Sequence, residues 1–254
     1  METKTTITLI AMAIVLIAVI VTVIILYARP PLAVACMENI SPKCTILLTC
    51  TVNVGSQVGN LYQKNKKDRL GVYLKSIRRW LNETALTVVV VENSGYTFPE
   101  LKHERKKFCR RLEIITFLEG NHTHAAYLST ATSKGWHEFY AINMAMRYSC
   151  VLRKSDFIVK VTGRYFVPGL EAILRSKPQN IKALRQSNPQ RCEIVGASIV
   201  EFGKVFYYRT MKDIVEFEWE ERILAYDSKD VLTLPELTIP STPQGGTLDT
   251  VISL

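Results

Sequence analysis

Apolar positions along the chain fall into blocks of two kinds. Residues 7–27, ITLIAMAIVLIAVIVTVIILY, form an unbroken uncharged run, long enough to cross about 30 Å of hydrocarbon as one helix. Beyond it the runs are short and rich in β-branched residues. Residues 45–52 (TILLTCTV) and 86–92 (LTVVVVE) predict strands buried on both faces of a parallel sheet. Between Asp68 and Asn82, Leu70, Leu74, Ile77 and Leu81 recur at helical spacing. That pattern predicts a helix with its leucine stripe on the sheet and Arg69, Lys75, Arg78 and Arg79 in water. Strand, helix, strand implies a right-handed parallel crossover. The alternation continues with a third strand at 112–117, a helix at 137–149 and a fourth strand at 157–161. A proline-led helix follows at 168–174, with strand-like pieces at 193–198 and 204–208. The tail from Leu234 onward, rich in Pro, Thr and Gly, reads as ordered loop.

This order of elements predicts an α/β fold: one domain with a mostly parallel sheet, preceded by one N-terminal transmembrane helix. The expected divisions are a short cytosolic tail at 1–6, a signal anchor at 7–27, a stalk at 28–43 carrying Pro30-Pro31 and Pro42, and the domain at 44–254. The apolar run is longer than most cleaved signal peptides, although Ala33-Val34-Ala35 before Cys36 resembles a cleavage site. Lys4 on one side and Arg29 and Lys43 on the other nearly balance, so flanking charge does not set orientation. The glycosylation triplets Asn82-Glu83-Thr84 and Asn121-His122-Thr123, with six cysteines that could form disulfides, favour a luminal domain in the Golgi or endoplasmic reticulum.

Apolar residues at 48% and charged residues at 22% describe a chain that buries a core, and exclude a disordered polymer. A net charge of +9 favours anionic partners. The basic run from Lys102 to Arg111 reads as an exposed helix, or as a contact for a phosphorylated lipid headgroup or nucleic acid. His122-x-His124 has a metal-binding spacing but no third ligand nearby and reads as a surface loop. P-loop, Gly-x-Gly-x-x-Gly, Gly-x-Ser-x-Gly and His-Glu-x-x-His motifs are absent, which argues against kinase, dehydrogenase, serine hydrolase and zinc protease chemistry.

In an open parallel sheet, ligands bind beyond the carboxyl ends of the strands. The polar residues placed there are Thr51 and Asn53 after the first strand, Glu92, Asn93 and Ser94 at the second, and Thr162, Gly163, Arg164 and Tyr165 at the fourth. Lys160 and Thr162 share one face of that strand. Each segment taken alone also reads as an ordinary turn.

Two further segments carry a resemblance. Lys134-Gly135-x-x-Glu138 with Ile142-Asn143, followed by Ser155-Asp-Phe-Ile-Val-Lys-Val-Thr-Gly-Arg-Tyr-Phe-Val167, resembles a group of membrane-anchored nucleotide-sugar glycosyltransferases of the GT-A fold. The similarity runs from about Thr45 to Leu170 and more faintly over 216–226. It implies a nucleotide-sugar donor, a glycan or glycolipid acceptor, and a base-binding role for the ends of the first two strands. In that fold the fourth strand ends in a metal-binding Asp-x-Asp. Here no Asp-x-Asp occurs, and the position reads Lys160-Val-Thr-Gly-Arg164. Fixed cations can stabilise a departing diphosphate in place of a metal. Arg164, helped by Lys134 or Lys160, is therefore expected to take that part, with no metal or other cofactor; alternatively Arg164 pairs with Glu138 and only locks helix to strand. The carboxylate that takes the acceptor's proton is expected in the acidic run Glu216, Glu218, Glu220 and Glu221, with Glu220 and Glu221 the first candidates. No nucleic-acid partner is expected on this reading. Its rivals are a non-catalytic membrane-tethered module of the same fold and a basic peripheral domain binding acidic lipid or RNA.

Overall fold

A computed structural model of the chain describes residues 43–55, 63–122, 128, 134–188, 191–206, 222–223, 225–244 and 249–254. The apolar run at 7–27 and the stalk lie outside the described residues. Among the described residues, no helix is long and apolar enough to cross a membrane.

The expected strands form at the predicted places, within a residue or two at their ends. They are β1 (Cys44–Cys50), β2 (Thr87–Glu92), β3 (Leu112–Thr116) and β4 (Phe157–Thr162). All four run parallel in the order β3-β2-β1-β4. The sheet then continues through β6 (Ile194–Ser198), antiparallel to β4, to β5 (Ala183–Arg185) and β7 (Val231–Thr233). Seven strands with four parallel and two antiparallel junctions make a mostly parallel mixed sheet, in agreement with the expected α/β class. The three-residue strands β5 and β7 have too few residues to show a period and were not anticipated.

Helices cover both faces. The α1 helix (Lys66–Glu83) connects β1 to β2, and α3 (Lys134–Tyr148) lies between β3 and β4. Ile46, Leu48, Val88 and Val90 pack on the α1 side with Ile77, Trp80 and Leu81. Leu47, Val89, Val91 and Ile158 pack on the α3 side with Phe139, Ile142 and Ala145. Alternate residues of each strand thus feed opposite cores, which is why these strands read as continuous apolar runs.

The face of α1 is rotated by about one residue from the leucine stripe. Its buried positions are Arg69, Tyr73, Ser76, Ile77, Trp80 and Leu81, whereas Leu70 and Leu74 are only partly covered. Trp80 Nε1 and Ser76 Oγ both donate to the Tyr165 carbonyl, each at 2.9 Å. Those two bonds turn the tryptophan edge inward and take Arg69 with it, so Arg69 is buried rather than in water.

Two other expectations are overturned. Lys204 and Val205 close a helix, α5 (Ile199–Val205), capped by the Ser198 hydroxyl; residues 207–208 lie outside the described residues. The tail contains an antiparallel pair, β8 (Thr238–Pro243) with β9 (Thr250–Ser253). The remaining short helices are α2 (Lys102–Lys107), whose Lys102, Lys106 and Lys107 are exposed, and α4 (Leu170–Ser176). No disulfide joins any two of the five described cysteines, Cys44, Cys50, Cys109, Cys150 and Cys192.

One glycine sets how closely the sheet closes at its ligand-binding edge. A Cβ on Gly163 would lie 2.5 Å from the Thr49 carbonyl oxygen and 2.5 Å from Cys50 Sγ. The Gly163 amide donates to that carbonyl at 2.9 Å, so the ends of β1 and β4 are tied where no side chain fits. Gly163→Ala should destabilise the domain by about 1–3 kcal/mol, measured as a lower midpoint of denaturant unfolding with unchanged slope.

Candidate functional site

The carboxyl ends of β1 to β4 point to one edge of the sheet, and the chain winds away from β1 in opposite directions there. Such a switch point leaves a crevice. Here it is a cavity of about 690 Å³, within the range of small-ligand sites. Of the anticipated residues, Thr51, Asn53, Asn93, Ser94, Lys134, Glu138, Thr162 and Arg164 line it. Glu92 and Lys160 stand behind the wall, and both are buried. Glu220 and Glu221 lie outside the described residues.

Lys160 decides the centre of the wall. Its ammonium lies 2.8 Å from Glu138 Oε1 and donates to the Cys192 carbonyl at 2.7 Å and to Thr162 Oγ1 at 3.3 Å. The same Glu138 oxygen accepts from Thr49 Oγ1 at 2.5 Å. Burying an ammonium is tolerable only with such a set of partners. Glu138 is therefore committed to Lys160, and the alternative in which it pairs with Arg164 is not what the structure contains. Among the described residues Arg164 forms no salt bridge; its guanidinium lies 5.5 Å from the Tyr165 ring centroid at the cavity lip. The donor set at the end of β4 is a lysine, a threonine and an arginine, which does not fit a divalent cation. Among the described residues no group of three His, Cys, Asp or Glu side chains could hold a metal ion.

Glu92 has a structural task. Its carboxylate accepts from the amides of Val52 at 2.9 Å, Ser94 at 3.0 Å and Tyr96 at 2.7 Å, and from the Ser94 hydroxyl. Burial raises its pKa, and the four hydrogen bonds oppose that rise. The effect is to hold the loops after β1 and β2 against each other. The Asn53 amide donates to Ser94 Oγ at 2.9 Å and completes that joint.

Several lining residues were not anticipated. Arg69 donates to the carbonyls of Thr51 at 2.7 Å and Gln63 at 3.1 Å and to the Tyr73 hydroxyl at 2.8 Å. It braces the loop after β1. Burial pushes the Tyr73 hydroxyl above its ordinary pKa, with Arg69 and then Arg164 acting the other way. Burial likewise pushes the Cys50 thiol well up, so it is a neutral wall atom rather than a nucleophile. Glu119 and His137 face each other across the cavity rim, with Nδ1 2.7 Å from Oε2. Asn93 Nδ2 donates to Glu119 Oε1 at 2.5 Å, and Thr51 Oγ1 donates to Asn93 Oδ1 at 2.6 Å. His137 sits inside the Lys134-to-Glu138 motif and could have been found there. Glu119 follows β3, and its place just beyond a parallel strand is the signal that could have found it.

No family model matches the chain, and no curated protein matches its sequence. Solved structures do resemble its backbone. A mannosyltransferase from Pyrobaculum calidifontis, in complex with GDP-Man and Mn²⁺, is 14% identical at a TM-score of 0.46, over 92% of this chain and 68% of that one. A cytidylyltransferase from Leptospira borgpetersenii is 15% identical at 0.39, over 76% of each chain. The galactosyltransferase LgtC, in complex with donor and acceptor sugar analogues, is 10% identical at 0.40, over 74% of this chain and 72% of that one. These are resemblances of backbone at low identity; the chemistry of the cavity rests on its own residues.

The Lys160–Glu138 pair is asymmetric, because the lysine side chain is 1% exposed and the glutamate 23%. Glu138→Ala should cost about 3 kcal/mol by leaving the ammonium without a countercharge. Lys160→Met leaves a carboxylate that water can reach and should cost about 1 kcal/mol or less. Equal losses in chemical denaturation would contradict this order.

Proposed function

We propose that this chain is a nucleotide-sugar-dependent glycosyltransferase that works without a divalent metal. The observation that carries the reading is Arg164: a guanidinium at the lip of the switch-point cavity, engaged by no carboxylate among the described residues, in a cavity that Lys134 at the start of α3 also lines. Its fork suits phosphate oxygens, and the 15-residue α3 begins at Lys134 at this cavity, adding its positive end. When the bond from the sugar's anomeric carbon to the diphosphate breaks, negative charge grows on the leaving oxygens. Fixed cations placed there stabilise the transition state more than the ground state. The acceptor hydroxyl of a glycan or glycolipid forms the new bond and gives its proton to a carboxylate. Glu220 and Glu221 are kept as that carboxylate on the strength of the sequence resemblance. Anchoring by residues 7–27, with the domain in the lumen of the Golgi or endoplasmic reticulum, belongs to the same reading and rests on the sequence.

The test is nucleotide release from a panel of UDP, GDP and CMP sugars by the full chain in detergent, with acceptor glycans present. One sugar nucleotide should turn over, and EDTA should leave its rate unchanged. A rate abolished by EDTA keeps the transferase and removes the arginine-for-metal part; binding without turnover favours the non-catalytic module. Arg164→Ala should lower turnover at least 100-fold while changing stability by no more than about 1 kcal/mol, since it removes a phosphate contact and little packing. Turnover at the unaltered rate in that variant would refute the role.

A further inference from the structure

We infer that the edge of the sheet opposite the cavity lies against the membrane and binds the headgroups of anionic phospholipids. The inference rests on residues 7–27 acting as an anchor, and it is independent of the transferase chemistry.

Strand register defines that edge. Cys44 is level with Phe157, Thr45 with Thr87, and Val88 with Leu112, so β1 to β4 all start there. The α3 helix begins at the cavity and so ends at the same edge. Glu113, near the start of β3, secures that end: its carboxylate accepts from the Cys150 amide at 3.1 Å and from the Ser149 hydroxyl. The chain also passes from stalk to domain here, where the Lys43 carbonyl accepts from the Phe157 amide at 3.1 Å. An anchor at 7–27 thus joins the domain through this edge, by a stalk at 28–43 that could span at most about 55 Å if fully extended.

Positive charge is collected at the same place. Lys43 precedes β1, Lys107 and Arg110 precede β3, Arg147 lies in the last turn of α3, and Arg153 precedes β4; all five are exposed. None of the five forms a salt bridge among the described residues. By contrast, the exposed Arg175, Lys182 and Lys204 each hold a carboxylate. Of the carboxylates near this edge, Glu83 and Glu171 are taken by Arg79 and Arg175 of their own helices, which leaves the exposed Asp156. Tyr148, 43% exposed beside Arg147, adds an aromatic ring of the kind that sits at the level of lipid headgroups.

Each basic residue near an anionic surface adds an attraction that decays within a Debye length. A domain with this cluster at the point of its tether is drawn onto that surface. Docking in this way leaves the crevice facing away from the bilayer, and it holds for either orientation of the anchor.

Amine acetylation of the full chain, read residue by residue by mass spectrometry, tests this in nanodiscs of phosphatidylcholine or of its equal mixture with phosphatidylserine. Lys107 should react about 5-fold or more slowly in the mixed discs than in the neutral ones. Raising salt to about 1 M should restore its rate. Lys67, exposed in the first turn of α1 at the cavity edge, should react alike in both. Arg147→Glu combined with Arg153→Glu should return Lys107 to its neutral-disc rate. Equal rates at Lys107 in the two lipids overturn the inference and leave the anchor and the transferase reading standing. Slowing at Lys67 instead would put the cavity edge on the bilayer and overturn it as well. If the chain separates from the discs on gel filtration, the anchor fails and this inference falls with it, while nucleotide turnover remains a separate question.

Discussion

A buried ammonium governs this domain. Lys160 is central in the sheet, on the strand that borders both the parallel and the antiparallel halves, and its charge must be answered from within the protein. The answers come from three places: the Glu138 carboxylate of α3, the Cys192 carbonyl before β6, and the Thr162 hydroxyl. Through Glu138 and Thr49 the same contact reaches β1. A helix, two parallel strands and the antiparallel extension are thereby fixed to one point. The carboxylate so used is withdrawn from the cavity's chemistry, which leaves the positive charge of Arg164 at the lip.

Carboxylates at the other end do different work by virtue of what surrounds them. Glu92 is enclosed and meets three backbone amides and a hydroxyl, so its lone pairs are consumed in joining two loops. Glu119 is partly open, and among the described residues its carboxylate meets the side chains of His137 and Asn93. It keeps acceptor capacity, and it imposes a direction on each bond leading to it. Because an ionised carboxylate has no proton to give, a single such group can make a whole wall of amide and hydroxyl side chains present one polarity.

The close approach at Gly163 links these two ends. With no Cβ there, the chain after β4 lies against the β1 carbonyl of Thr49, and Arg164 follows at the cavity mouth. A strand end carrying side chains on both residues would hold the two loops apart and widen the crevice.

Much of the architecture was legible in the residue pattern. Runs such as Thr-Val-Val-Val-Val and Phe-Ile-Val-Lys-Val state a strand buried on both faces, because only a sheet covered by helices on each side accepts apolar residues at consecutive positions. The same logic placed Thr51, Asn93, Thr162 and Arg164 at one edge, since polar residues directly after such strands share a side of the sheet. Three-residue strands β5 and β7 and the tail pair β8–β9 carried no comparable signal, for their pairing depends on partners distant in sequence. Nor could periodicity show that α1 turns Trp80 and Arg69 inward, a rotation fixed by hydrogen bonds from Trp80 and Ser76 to the Tyr165 carbonyl. The sequence by itself determined which residue types stand at the ligand-binding edge; tertiary structure alone decided which charges are spent. Lys160 and Arg164 are both basic side chains on the same short motif, and Glu92, Glu119 and Glu138 are chemically alike. What separates them is burial and the number of partners within about 3 Å, and those are properties of the packed chain.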